Sequence, residues 1–235
     1  MITLLLFSYL VWPPATIGWM DTPTTQQPAP TPAPPTDSHR SWHIGNLKVA
    51  LSLLVFFGFV FGAAAFLNAF VFQSYFVDGT SMTPTLGNGD RLIISKVERT
   101  VSGIEHKPYV PTRGQIVVLD SSVSEMTAAR NEQIIKRIIG LPNERVHIEG
   151  GTVTIYNQQH PEGFDVNASL GLHLEPTYSD GVVDETIPPD HVFVMGDNRV
   201  NGGSYDSRSF GYVSVDKIIG RLWLRILPLD RIGGF

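Results

Sequence analysis

The 235-residue chain contains no cysteine. That excludes disulfides, thiolate nucleophiles and cysteine-based zinc sites. It leaves the compartment open, since such a chain suits oxidising and reducing surroundings equally. Positive charge is also short: 17 Lys and Arg stand against 22 Asp and Glu, a formal net charge of -5. The chain as a whole therefore has no bulk attraction for nucleic acid or anionic lipid. Its seven histidines are scattered, with no His-Glu-x-x-His and no acidic calcium loop, so neither a metal nor a cofactor is expected.

Charge is missing altogether from Val49 to Val77, a run of Leu, Val, Phe, Ala and Gly. About 20 such residues suffice to cross a bilayer, and a core helix this long would carry a polar face. The run predicts a transmembrane helix over 47–75. Arg40 and Lys48 precede it, which places its N-terminal side in the cytoplasm and residues 76–235 on the extracytoplasmic side. Upstream, 1–46 combines a broken apolar stretch with a Pro-, Thr- and Gln-rich linker expected to be disordered. The stretch Met1–Met20 reads either as a first membrane span or as an extension absent from the mature chain; we favour the second. The expected protein is thus an integral membrane protein of the cell membrane, crossing once, or twice if the first stretch also spans.

Beyond Phe76 the texture changes. Short apolar runs rich in β-branched residues recur, among them 91–95, 115–119, 133–139, 145–148, 152–156, 191–195 and 218–224. Turn signals such as Gly87-Asn88-Gly89-Asp90 and Gly140-Leu141-Pro142-Asn143 separate them. This spacing predicts an all-β sandwich or barrel, with one or two helical turns near Glu125–Glu132.

Three stretches carry chemistry. In Val77-Asp78-Gly79-Thr80-Ser81-Met82-Thr83-Pro84-Thr85-Leu86 a small hydroxyl sits between a glycine turn and a proline, both of which restrict the backbone. Most serines in such turns bond only their own backbone, so Ser81 needs support from elsewhere. In the second stretch, Lys136 and Arg137 adjoin within an Ile-rich strand, and neighbouring strand side chains leave on opposite faces. Taken alone, Lys136 reads first as an edge lysine that guards against aggregation. Buried without a counter-charge, it would instead lose its proton near neutral pH and serve as a base for a serine. The third stretch, Gly196–Gly211, is dense in Asp, Asn, Ser, Arg and Gly and follows an apolar strand. Asp206 and Arg208 are spaced for a carboxylate–guanidinium pair.

Together these stretches resemble the type I signal peptidases. Ser81-Met82-Thr83-Pro84-Thr85-Leu86 is similar to that family's nucleophile segment and Gly89-Asp90 to its next box. Lys136–Pro142 is similar to the lysine segment, and Gly196-Asp197-Asn198-Arg199 with Ser204–Gly211 to the last box. The resemblance implies a mainly β, membrane-anchored antiparallel domain with a small β-rich cap at about 143–190. It implies a serine endopeptidase that removes signal peptides from exported preproteins, with no metal and no nucleic acid partner. Ser81 would be the nucleophile and its N–H an oxyanion donor. Lys136 would be the base, and Ser204 would orient the lysine amine. Arg137, Asp206 and Arg208 would form an ion-pair network, with Asp206 the first choice of partner for Arg137 and Asp197 supporting the loop. Two departures stand out. The last box is longer, with Val200-Asn201-Gly202-Gly203 before Ser204 and Ser207 as an understudy. Gly79 stands where some members carry a hydroxyl that helps bind the oxyanion. The rival reading is a non-catalytic membrane-anchored β domain, in which Ser81 and Lys136 need not meet.

Overall fold

The computed structural model describes residues 40–235; the apolar stretch at 1–20 and the Pro-rich linker lie outside the described residues. The chain divides into two compact units, 1–50 and 51–235. Of the first, only the beginning of helix α1 (Arg40–Phe66) is described. A π-helical turn, Leu67–Val71, extends α1. Among the described residues this is one helix long and apolar enough to cross a membrane, Asn46–Val71, and none of it is buried in protein.

Helical winding ends at Val71, earlier than the 75 read from the sequence. Phe72–Phe76 is strand β1, paired antiparallel with β2 (Arg91–Ser95) in the register Phe72↔Ser95 to Phe76↔Arg91. Composition gives no warning, because the run stays uncharged through Val77. The ladder with a strand fifteen or more residues away decides where the helix stops.

The remaining elements are α2 (Val97–Ile104), β3 (Ile116–Leu119), α3 (Glu125–Arg130), β4 (Ile134–Gly140), β5 (Arg145–Glu149), β6 (Thr152–Tyr156), β7 (Phe164–Asp165), α4 (Val166–Ser169), β8 (Val183–Thr186), β9 (His191–Met195), α5 (Ser207–Phe210), β10 (Val213–Ser214), β11 (Ile218–Leu227) and β12 (Gly233–Gly234). The fold is mainly antiparallel β, as expected. The larger sheet runs β1-β2-β11-β3-β4-β9-β10, with β12 added to β11; the smaller runs β7-β6-β5-β8. Register shifts in β11 and β4 bend the large sheet.

Patterning explains the layering. β3 is buried along its whole length, which suits its unbroken Ile-Val-Val-Leu run. β5 and β6 alternate, and Val146, Ile148, Val153 and Ile155 turn inward against Phe193 and Met195. A separate cluster of Val77, Met82, Leu86, Leu92, Ile94, Ile116, Val118 and Leu222 lies beneath the Ser81 turn. That turn is thereby mounted on packed core.

Candidate active site

The Ser81 segment leaves β1 and is pinned at both ends. Met82 and Leu86 plunge into the core, at 1% and 0% exposure. The Thr83 N–H and hydroxyl both donate to the Thr80 carbonyl, and Leu86 N–H donates to Met82 O. Gly79, at φ +109°, donates its N–H to Asn88 Oδ1; a side chain there would be strained. The chain after β9 clamps the other side: Asn198 N–H donates to Ser81 O and Asn198 Nδ2 to Thr80 O. Among the described residues the Ser81 N–H has no hydrogen-bond acceptor. Asp90 serves from below. Its buried carboxylate accepts from Gly87 N–H, Arg225 and Arg231, closing the Gly87–Asp90 turn.

Lys136 comes from β4, paired with Val117 of β3. Its amine donates to Ser81 Oγ at 2.8 Å and to the Ile135 carbonyl at 2.9 Å. The residue is 3% exposed and, among the described residues, pairs with no carboxylate. Desolvation lowers its pKa from the ordinary 10.5 to about 8, while the fields of Asp206 and Glu132 act to raise it. The edge-lysine reading does not describe this residue: β4 lies between β3 and β9.

Arg137 takes another course. Its Nε and Nη2 grip Asp197 at 2.8 and 2.5 Å, and Nη1 donates to Gly114 O. The partner is therefore Asp197, not Asp206 as the sequence reading had it. Strand pairing gives the reason: Arg137 sits opposite Met195, and Asp197 follows two residues later. Asp206 is committed elsewhere. It caps α5 by accepting from Arg208 N–H, grips the Arg208 guanidinium at 2.8 and 2.7 Å, and accepts from Gly196 N–H. Both pairs are buried, and removing one partner of such a pair typically costs about 3–5 kcal/mol by stranding the other charge. Thr85 Oγ1 also donates to Asp197, so the Arg137–Asp197 pair ties the serine segment to β4.

Ser204 reaches the wall of the cleft but makes no bond to Lys136; its hydroxyl is buried without a protein partner among the described residues. A Cβ on Gly196 would overlap both Ser204 Oγ and Ser81 O, so glycine at 196 lets the two segments meet. Ser207 is held away, accepting from Val194 N–H. The sequence reading assigned no part to Arg199. This fully buried guanidinium donates to Gly196 O and Thr177 Oγ1, joining the last box to the 143–190 segment, and desolvation lowers its pKa to about 10. Its place beside Asn198 was the available signal.

A cleft of about 550 Å³ opens over Ser81 and Lys136. One wall is Tyr75–Thr80, another Gln133–Ile135, and Leu92 and Val118 form an apolar floor. A serine hydroxyl, a lysine amine of lowered pKa and an unclaimed N–H lining one cleft form a set suited to acyl transfer.

Residues 50–227 match the family model described as signal peptidase, peptidase S26. The chain is 34% identical over 216 residues to signal peptidase I of Leptolyngbya laminosa, covering 91% of this chain and 94% of that one. It is 31% identical to signal peptidase I T of Bacillus subtilis (strain 168), covering 72% and 81%. A crystal structure of a signal peptidase I from Enterococcus faecalis V583 aligns at 28% identity with a TM-score of 0.32, over 48% of this chain and 96% of that one. With most of its length matched by both comparisons of sequence, the chain belongs to the signal peptidase family, peptidase S26.

Proposed function

We propose that this protein is a membrane-bound serine endopeptidase that cuts signal peptides from exported preproteins through a Ser81–Lys136 pair. The observation that carries the reading is the 2.8 Å hydrogen bond between a buried lysine amine and a part-buried serine hydroxyl in a cleft. Neutral Lys136 takes the Ser81 proton as Oγ attacks the scissile carbonyl carbon. The Ser81 N–H stabilises the oxyanion. The protonated lysine then gives its proton to the leaving amine, which is the new N-terminus of the mature protein. Water, activated by the same amine, hydrolyses the ester and frees the signal peptide. Arg137, Asp197, Asp206 and Arg208 act as braces, and Ser204 borders the lysine side of the cleft.

An extended substrate fits as an added strand along the exposed backbone of Tyr75–Thr80 and Gln133–Ile135, which gives affinity without side-chain identity. Alpha-1 crosses the bilayer with residues 76–235 on the extracytoplasmic side. Phe76 and Trp223, both exposed, and Leu224 beside them rest on lipid. The cleft begins at Tyr75, four residues after the helical winding stops, so it meets a cut site that itself follows a hydrophobic segment.

The test is incubation of the full chain, in detergent micelles, with a purified preprotein. Mass spectrometry should find one new N-terminus, after a small residue at the end of the hydrophobic segment. Intact preprotein after long incubation, or cuts scattered along it, would leave the non-catalytic β-domain reading standing. Orientation has its own measurement. Protease added outside intact spheroplasts should digest the chain beyond Phe76, and protection until lysis would reverse the topology.

A further inference from the structure

Helix α2 turns an apolar stripe outward. A surface helix normally turns its apolar stripe to the core and its polar face to water. Here Val97, Val101 and Ile104, spaced to share one face, are 39%, 45% and 72% exposed. The polar side chains, themselves part exposed, bond back to the large sheet. Arg99 donates to the carbonyls of Ile218 and Asp216, and Glu98 pairs with Arg221 of β11 at 2.8 Å. No residue of α2 is buried. The arrangement makes poor sense in water, where it exposes three large aliphatic side chains and spends the charges on anchoring.

The helix also has a definite neighbour. Thr100 Oγ1 donates to Phe70 O, Lys96 N–H to Val71 O and Lys96 Nζ to Asn68 O, all on the π turn that ends the apolar helix. Leu67 and Phe70 of that turn are themselves about half exposed. The stripe of α2 thus continues the apolar surface of the last turn of the helix.

We propose that α2 is an interfacial helix, with Val97, Val101 and Ile104 set into the surface of the bilayer leaflet from which the β domain emerges. The inference rests on the reading that α1 spans the membrane. A short helix with an apolar outer stripe lies in the plane of the interface, held by the apolar area it buries. Its polar side, bonded to β11, then fastens the large sheet to the membrane at a further point. Together with α1 and the lipid contact of Phe76, Trp223 and Leu224, this further point fixes the tilt of the domain and holds the cleft at one height above the lipid. The bilayer is the occupant the observations favour over a protein partner, because the stripe adjoins the end of a helix that is unburied and apolar over a membrane-spanning length.

The absence of native cysteine makes the test direct, since one introduced cysteine carries one label. Val101→Cys, Leu53→Cys and Val182→Cys, each in the full chain, are labelled with an environment-sensitive dye. They are reconstituted in phosphatidylcholine liposomes with and without brominated acyl chains. None of these positions touches the cleft, and retained preprotein cleavage reports that each labelled chain is folded. The expected result is a blue shift and loss of most emission to bromolipid at Leu53 and Val101. Val182, exposed in the loop just before β8 of the small sheet, should stay water-like and unquenched. Quenching at Leu53 with none at Val101 would overturn the inference and leave the span intact. A blue-shifted but unquenched Val101 would also overturn it, since the cover would then be protein. No quenching at Leu53 would remove the spanning reading and this inference with it.

Discussion

Lys136→Arg should be as inactive as Ser81→Ala, each falling by about 10³-fold or more in preprotein cleavage. The arginine keeps the charge and much of the length of lysine. It cannot act as the base, because a guanidinium stays protonated throughout the working range. The comparison separates two roles that Lys136→Ala alone confuses, proton acceptor and fixed positive charge. Initial rates on a preprotein in detergent micelles, for wild type, Ser81→Ala, Lys136→Ala and Lys136→Arg, make the measurement. If Lys136→Arg kept more than about a tenth of wild-type activity near neutral pH, the general-base role would be wrong. Loss in the alanine variant would then mean only that the site needs a cation.

The second large effect is on pH. Only the neutral amine can accept the Ser81 proton, and burial sets its pKa to about 8. The rate should therefore climb about tenfold per pH unit below 8 and level off above it. An unperturbed lysine would put the break near ~10.4. Stability follows with a definite sign. The folded pKa is lowered, so between about 8 and 10.5 the unfolded chain holds more protons than the folded one. Stability should rise with pH through that window, and below 8 the full penalty for burying the ammonium remains. Lys136→Met, which fills the slot with an apolar chain of similar shape, should melt higher than wild type at pH 7, with the gap shrinking toward pH 10.5. A break in the rate near 10, together with equal melting of the two proteins at pH 7, would show that the lysine is not desolvated.

What the sequence determined by itself was the part written in short windows. Alternating aliphatic runs between glycine and proline turns placed the strands, and β2, β6 and β9 fall on the runs that suggested them. The lack of charge from Val49 to Val77 marked the apolar helix, and the order of the boxes marked Ser81, Lys136 and the last loop as belonging together. Tertiary structure decided what depends on pairing between distant segments. The apolar run stops being helix at Val71 because Phe72–Phe76 finds β2. Arg137 bonds Asp197 rather than Asp206 because the β4–β9 register delivers one carboxylate beside it while Asp206 caps its own helix. Helix α2 was invisible, since its aliphatic positions are few and its orientation depends on what its charges reach. The lowered pKa of Lys136 is likewise a sum over every atom that excludes water from the amine. A sequence window records which groups exist and how local periodicity orients them. Desolvation and long-range register arise only when segments far apart in the chain are packed into one volume.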